Sequence, residues 1–567
     1  MVTERRTMPI GVDDFREIVT KKYCFVDKTR FIKEILDGHS KVTLITRPRR
    51  FGKTLNLSML RYFFTMENRE KNRGLFVGLD IERAGDRYMA EQGSRPVVFL
   101  TLKGAQARDY DGMIVKLSEL LRQVYDRVLY LQDSEAISLQ DKEYFKSVLN
   151  TECPPDKLQF ALANLTKFLQ KHHGREAILL LDEYDAPIIS AWERGYYDDC
   201  IDFMRGFLGE ALKTNEALDF AVLTGVTRVS KESIFSGLNN LRVCSVLNER
   251  YGDIFGFTQE EADCLLDMCG LENSSGELKK WYDGCLFGGK EIYNPWSVIS
   301  FIDNDCIFQP YWLNISGNSI LQVLLKRVDE QRRKELTGLL RMGDSSVNAL
   351  VDEGIICTDI ENDENALYMM LLTTGYLKAV TKWQDGRSRW WCSLQIPNRE
   401  VMQAYEDEVL SQVAGRGNLA LLLTMLEAMT EGKVGVLKKQ LERILRDMVS
   451  FHDTAQPESF YHGLMLGLSV WLEGRYRVES NRESGYGRFD IAFFPLKEKM
   501  PGVILEFKTV KTEEEMEEAA RAALTQIESK EYTAELARQG VTEVWKYGIA
   551  FCGKRCGWNI DNINNLI

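Results

Sequence analysis

Residues 41–54 read KVTLITRPRRFGKT, and they decide the fold of the first third of the chain. Val42 to Thr46 make a short apolar, β-branched run, a basic glycine-containing loop follows, and LNLSMLRYFF from Leu55 to Phe64 then places apolar residues at helical spacing. Strand, loop and helix in that order are what a phosphate-binding loop requires. Gly52, Lys53 and Thr54 supply the last three positions of the pattern G-x-x-x-x-G-K-[ST], with Arg47 standing where its first glycine belongs. Gly52 permits close backbone approach to phosphate, Lys53 brings a point charge to the terminal phosphates, Thr54 is a magnesium ligand, and the helix N-terminus adds its dipole.

A phosphate loop needs an acidic partner, and AILLLDEYD from Ala177 to Asp185 provides one. Its apolar run suits a buried parallel strand and ends in two adjacent carboxylates. Asp182 is expected to hold magnesium through water, and Glu183 to polarise the attacking water, because phosphoryl transfer depends on positioning and electrostatics. A third strand-like run, DFAVLTG from Asp219 to Gly225, leads into VTRVSKESIFSGLNN. Thr224 or Thr227 at its end is a candidate sensor of the γ-phosphate, and Arg228 a candidate source of charge in cis; the competing reading is a hydrogen-bonded turn.

The C-terminal fifth carries a second constellation. GRFDIAFFP, Gly487 to Pro495, reads as a strand, PLKEKMPG as a turn and GVILEFKTV as a returning strand, so a hairpin is expected. Glu506 and Lys508 are two apart and share a face, with Phe507 on the other. Pairing brings Asp490 beside Glu506, so two carboxylates and a lysine converge. Hard carboxylate oxygens suit Mg²⁺ or Mn²⁺, which polarises a phosphodiester, while Lys508 positions water or stabilises developing charge. Upstream, ESFYHGLMLGLSVWL is a helix candidate that would bring Glu458 to the metals; His462 on the same segment is either a core residue or a site residue. Downstream, EEMEEAARAALTQIESKEY is a second helix candidate whose Ala519, Ala520, Ala522 and Ala523 permit close packing, with Gln526 pointing back to the site.

Composition limits the rest. A chain of 567 residues exceeds one hydrophobic core, and 44% hydrophobic with 28% charged residues is the balance of a soluble folded protein, so two or three domains are expected. The net charge of -12 offers a polyanion no global attraction, which leaves nucleic-acid contact to local basic patches. One such run, Lys326, Arg327, Arg332, Arg333 and Lys334, is interleaved with Asp329, Glu330 and Glu335 and reads first as a solvated helix face, with DNA tracking as the alternative. The 12 cysteines include no C-x-x-C pair, so reduced thiols are expected instead of a zinc site. MVTERRTMPIGVDDF has no apolar region behind its charges, and no stretch reaches the roughly eighteen apolar residues of a membrane helix. No membrane partner and a cytoplasmic location are therefore expected.

PIGVDDFREIVTKKYCFVDKTRFIKEIL, RPRRFGKT, LLLDEYDAPI and TGVTRVSKESIFSGLNN closely resemble the AAA-ATPase-like family of bacterial and archaeal proteins, in which RPRRFGKT is the usual form of the loop. WYDGCLFGGKEIYNPWSVISFI and YWLNISGNSILQVLL resemble its continuation, with Cys285 in place of Tyr and Ile315 in place of Thr. The spacing D-x15-E-x-K resembles the PD-(D/E)XK nuclease superfamily, and the whole C-terminal stretch resembles the domain that often ends AAA-ATPase-like proteins. The resemblance implies an α/β chain: an additional-strand P-loop ATPase domain over 1–260, a helical linking region over 261–445 and a restriction-endonuclease-like domain over 446–567.

ATP would be bound by Arg49, Arg50, Phe51, Gly52, Lys53 and Thr54 with Asp182, Thr224 and Arg228. Magnesium or manganese would be held by Thr54 and Asp182 at one site and by Glu458, Asp490 and Glu506 at the other. Glu183, Asp490, Glu506, Lys508 and Gln526 are the expected catalytic set. The expected function is an ATP-binding, ATP-hydrolysing protein of prokaryotic type, coupled to a metal-dependent phosphodiesterase acting on nucleic acid, DNA ahead of RNA. Rings are common among related ATPases, so a homo-oligomer stays open. The alternatives are a P-loop switch whose inert nuclease-like domain grips a partner without cleaving, and a nucleotidase or phosphatase that acts without nucleic acid.

Overall fold

The computed structural model describes residues 7–228, 235, 240–312, 339, 346–351, 363–405, 419–448, 461–462, 465, 468–469, 472, 475–480, 483–484, 487–496 and 500–564. Glu458, Ile315 and the basic run 326–334 lie outside them. Two compact units divide the chain, Met1–Glu406 and Asp407–Ile567.

The first unit is built on a five-stranded parallel sheet of β1 (Val42–Thr46), β2 (Val97–Thr101), β3 (Ala177–Asp182), β4 (Leu218–Gly225) and β5 (Leu241–Cys244), in the order β2-β3-β4-β1-β5. β4 therefore lies between the strand that leads into the phosphate loop and the strand that ends in the acidic pair, which is the additional-strand arrangement. β1 and β3 are buried along their whole length, as strands covered on both faces must be. On one face Val42, Leu44, Leu100, Leu179, Leu181, Ala221 and Leu223 join a core with the helices Tyr110–Asp126, Ala161–His173 and Tyr197–Leu212. The other face takes α3 (Lys53–Phe64), whose Phe64 packs edge-on against Phe220 of β4. Two short helices, α1 (Phe15–Thr20) and α2 (Arg30–Gly38), precede the sheet.

Beyond β5 the unit continues mainly as helices. Gln259–Cys269 opens with a reciprocal capping box between Thr258 and Glu261 and packs with Ser275–Tyr282 and Pro295–Asp303 around Tyr282, Tyr293, Val298 and Phe301. The hairpin β6 (Cys285–Phe287) and β7 (Lys290–Ile292) turns at Gly288 and Gly289, both at positive φ. A three-stranded antiparallel sheet, β8 (Val347–Leu350), β9 (Lys378–Gln384) and β10 (Trp390–Gln395), runs in the order β8-β10-β9.

The second unit holds a mixed sheet of β11 (Tyr476–Ser480), β14 (Ile491–Pro495), β15 (Gly502–Thr509), β16 (Glu543–Cys552) and β17 (Arg555–Asn564), in that order. β14 and β15 form the expected antiparallel hairpin, with Ile491 opposite Leu505 and Phe493 opposite Val503. The upstream strand is not continuous. Gly487–Arg488 (β13) pairs with Glu483–Ser484 (β12), the chain bends at Asp490, and only Ile491–Pro495 enters the main sheet. Nor does β14 alternate in burial, because Ile491 and Phe493 face one core while Ala492 and Phe494 face another. The stretch 419–446 is compatible with a long helix in its sequence, but it forms two, Leu419–Thr430 and Val434–Met448. Gly432 sits between them at φ +70, where a Cβ would strike the Trp545 ring.

β15 and β16 are parallel, so a crossover must join them, and the helix Met516–Ser529 supplies it. The helix lies close because Gly548 of β16 faces it directly: a Cβ there would overlap the Ala520 carbonyl oxygen and the Leu524 amide. These are backbone atoms that have no rotamer to relieve the clash. Gly548→Ala is therefore expected to destabilise the second unit by at least about 2 kcal/mol, read as a lowered urea midpoint of its unfolding transition; an unchanged midpoint would contradict the packing.

Candidate functional site

In the first unit the site forms at the C-terminal ends of β1, β3 and β4. Gly52 adopts φ +76 and starts α3, and Arg50 is also left-handed at φ +70. The buried Lys53 ammonium donates to the carbonyls of Arg47 at 2.9 Å and Pro48 at 2.7 Å, so it lies inside the curl of the loop. Burial pushes its pKa down, and the carboxylates of Glu183, Asp182 and Asp185 oppose that shift. The Thr54 hydroxyl donates to Asp182 Oδ2 at 2.7 Å, and the Thr224 hydroxyl donates to Oδ1 of the same carboxylate at 2.6 Å. Thr224, Asp182 and Thr54 thus form one chain from the end of β4 through the end of β3 to the first turn of α3. Hydroxyl and carboxylate are the hard oxygen donors that Mg²⁺ takes, so these residues fit the ion.

Glu183 follows at φ +49, a left-handed conformation uncommon for glutamate. Burial first and Asp182 second raise its pKa, while Lys53 lowers it. The other candidate threonine, Thr227, is committed elsewhere: its amide and hydroxyl bond Asp185 Oδ2 at 2.7 and 3.0 Å. Asp185, absent from the expected set, is a buried clamp that ties the end of β4 to the acidic turn. Asp13 and Lys103 were also missed; Asp13 is raised by burial and by the charge of Asp182, and Lys103 lowers both Asp13 and Glu183. A charged residue in an undistinguished loop leaves no spacing signal. Arg228 is half-buried at the edge of the described residues.

Arg47 explains the missing glycine. Its side chain is fully buried, donating from Nη1 to the carbonyls of Thr46 at 2.8 Å and Cys244 at 3.0 Å, and from Nη2 to that of Tyr251 at 3.2 Å. The guanidinium lies 4.9 Å from the centre of the Phe287 ring. Burial lowers its pKa to about 10, which still leaves it charged at neutral pH. The residue thus points away from the phosphate-binding curl and pins the loop to β5 and the segment beyond it.

The rest of the loop is braced by the helical region. Trp312 Nε1 donates to the Arg49 carbonyl at 3.2 Å, the Arg50 guanidinium stacks 4.2 Å from the Trp296 ring, Phe51 packs on Phe287 at 5.1 Å, and Gly375 leaves room for Pro48. The Arg49 side chain stays exposed. Glu400 orders this brace, accepting from the Trp312 amide at 2.7 Å and the Ser297 hydroxyl at 2.8 Å. Its carboxyl is pushed up to about 7 by burial, against the lowering effect of those two hydrogen bonds.

In the second unit Asp490, Glu506, Lys508 and Gln526 of the expected set converge at the β14–β15 hairpin, and Glu458 lies outside the described residues. Asp490 Oδ2 accepts the Phe507 amide at 2.7 Å. Gln526, from the crossover helix, donates through Nε2 to Glu506 Oε1, and the Lys508 ammonium lies 3.5 Å from the same oxygen. Glu506 is 4% exposed and Lys508 32%, so the carboxylate is walled in while the ammonium reaches the surface. Burial, then the charge of Asp490, pushes Glu506 up to about 8, with Lys508 opposing. Among the described residues Glu506 Oε2 is buried with no hydrogen-bond partner. A buried carboxylate oxygen left over beside a second carboxylate fits a hard divalent cation, although the described residues contain no cluster of three or more His, Cys, Asp or Glu suited to a metal. His462 reaches the same corner, with Nε2 3.0 Å from both the Asp490 carbonyl and the Ser480 hydroxyl. Tyr532, also missed, places its hydroxyl 3.3 Å from Gln526 Nε2.

A P-loop sheet with β4 inserted, in a chain that ends in a carboxylate-bearing mixed sheet, defines an ATPase-like protein joined to a nuclease-like domain. Comparison with known families agrees: residues 9–235 match the family model described as predicted AAA-ATPase, and residues 456–559 that of the PD-(D/E)XK nuclease superfamily. The chain carries one domain of each. A curated relative, described as an uncharacterized protein in the vnfD 5′ region of Azotobacter chroococcum mcd 1, is 27% identical over 412 residues, covering 72% of this chain and 70% of its own. No helix among the described residues is long and apolar enough to cross a membrane.

Two outcomes are expected. Arg47→Gly restores the general loop pattern yet orphans buried carbonyls and opens a cavity, so it is expected to cost about 3 kcal/mol of stability and to weaken ATP binding in calorimetry, where the sequence pattern alone would forecast a gain. For Glu400, a folded pKa of about 7 against 4.5 means the folded state holds the extra proton between those values, so its contribution to stability falls as pH rises through that window and levels off above it. From pH 5 to pH 8 the stability of Glu400→Gln relative to wild type should therefore rise by about 2–3 kcal/mol, measured by urea unfolding.

Proposed function

We propose that the protein is an ATP-controlled, metal-dependent phosphodiesterase acting on nucleic acid, with DNA ahead of RNA. The observation that carries this reading is the convergence of Asp490, Glu506, Lys508 and Gln526 on one corner of the second unit, with one buried carboxylate oxygen of Glu506 unpartnered among the described residues. Asp490 and Glu506, with Glu458 as a further candidate ligand, would hold Mg²⁺ or Mn²⁺. When bound, such an ion supplies Lewis-acid polarisation of the scissile phosphodiester. Asp490 is oriented by the Phe507 amide, Gln526 holds one oxygen of Glu506, and Lys508 offers a partly exposed positive charge to the phosphate as negative charge develops.

In the first unit Lys53, Thr54, Asp182 and Thr224 bind ATP and its magnesium, and Glu183 orients the attacking water. Arg49, Arg50 and Phe51 shape the loop, with Arg228 as the candidate charge in cis. The aromatic brace on the loop offers a route by which nucleotide state is felt in the helical region. The domain limits 1–260, 261–445 and 446–567 and a prokaryotic cytoplasmic setting belong to this reading.

One observation favours a second reading. The net charge of -12 offers a polyanion no global attraction, which suits a domain that grips a partner other than nucleic acid without cleaving it. Cleavage assays separate the two. Plasmid, linear and single-stranded DNA and RNA would be incubated with Mg²⁺ or Mn²⁺, with and without ATP. Cutting should vanish in EDTA, fall at least about a hundredfold in Lys508→Ala and change its ATP response in Lys53→Ala. No cutting of any substrate, with ATP binding intact in Lys508→Ala and lost in Lys53→Ala, would replace the nuclease by the switch.

A further inference from the structure

The hairpin β9–β10 of the first unit has a surface that the ATP and carboxylate sites do not use. Of the tryptophans among the described residues, two are exposed, Trp383 at 37% and Trp390 at 44%, and both lie here. The register places Trp383 directly opposite Trp391, so these indoles share one face of the ribbon, while Trp390 pairs with Gln384 on the other. Each face carries a cation on its ring: the Lys382 ammonium lies 4.7 Å from the Trp390 ring centre, and the Arg389 guanidinium 5.9 Å from that of Trp391. Arg387 in the turn is exposed. Asp385 is spent internally, bonding Arg389 Nε at 2.8 Å and Trp391 Nε1 at 3.1 Å, so it holds the ribbon's shape and offsets one charge.

The inner half of the hairpin is anchored by buried Cys392 and Leu394, whereas β9 is exposed from Val380 to Gln384. The outer half therefore presents rings and cations to solvent. Lysine on an edge strand is an ordinary guard against strand pairing, but exposed indoles are the opposite of a guard. Positive charge concentrated on one ribbon of a chain with net charge -12 points to an anionic partner, and flat exposed rings point to one with stackable faces. Both properties belong together in a nucleic-acid strand whose bases are unpaired.

We propose that the β9–β10 hairpin binds single-stranded nucleic acid that passes round its β9 edge, with bases stacking on Trp383 on one face and Trp390 on the other and the backbone phosphates meeting Lys382, Arg387 and Arg389. The inference rests on the reading of the protein as acting on nucleic acid and narrows its substrate to one with an unpaired segment. The full chain is titrated with fluorescein-labelled single-stranded DNA and RNA in EDTA, so that binding is read without cleavage, and with a duplex and anionic phosphatidylserine vesicles as rivals. Affinity for the single strands should fall about tenfold in Trp383→Ala and in Trp390→Ala, be retained in Trp383→Phe, and depend less steeply on salt in Lys382→Ala and Arg387→Ala than in wild type. Quenching of tryptophan fluorescence should accompany binding.

Unchanged binding in both alanine variants, no binding by wild type, or capture of only the duplex or the vesicles would each overturn the proposal. The two readings fail separately: cutting lost in Lys508→Ala with binding unaffected by the tryptophans leaves the nuclease without this surface. Loss of binding in the tryptophan variants of a protein that cuts nothing leaves the surface without the nuclease.

Discussion

A guanidinium buried among backbone carbonyls is the constraint on which the first unit depends. Arg47 is fully enclosed, and its Nη1 and Nη2 donate to Thr46, Cys244 and Tyr251, while Nε has no hydrogen-bond partner among the described residues. Those acceptors sit on the end of β1, the end of β5 and the segment beyond β5, which makes the side chain a pin through three parts of the chain. The loop that would otherwise rely on glycine for its curl is instead held from behind. Lys53 can then occupy the interior of the curl, bonded to the carbonyls of Arg47 and Pro48.

The same economy governs the acidic side of the site. Asp182 has both oxygens engaged by hydroxyls, from Thr54 and Thr224, while Asp185 has one oxygen gripping the backbone of Val226 and Thr227. Asp182 thus bonds side-chain hydroxyls from α3 and β4 and Asp185 the backbone beyond β4, although they stand three positions apart in a single tetrapeptide. In the second unit the division falls within one residue: Gln526 and Lys508 occupy the Oε1 side of Glu506, and Oε2 is the oxygen left over among the described residues.

The structure also revises particular sequence readings. Periodicity treats Gly487–Pro495 as one strand, but burial on both faces removes the alternation that would mark its limits, and Asp490 lies in a bend where its carboxylate accepts the Phe507 amide. Gly432 parts the helices Leu419–Thr430 and Val434–Met448, and the Trp545 ring that demands it lies over a hundred positions away in the sequence. Thr224 and Thr227 are equivalent candidates by sequence, and only the hydrogen bonds show that Thr224 bonds Asp182 while Thr227 bonds Asp185.

Local order was enough to read the strand–loop–helix of Val42–Phe64, the apolar strand ending in Asp182, and the β14–β15 hairpin, since each follows from spacing along a few residues. Tertiary structure alone decided the direction of Arg47, the clamp role of Asp185, the brace of Trp296, Trp312 and Glu400 on the loop, and the burial that raises Glu506. These depend on partners distant in sequence, and on how far water is excluded, which no local pattern encodes.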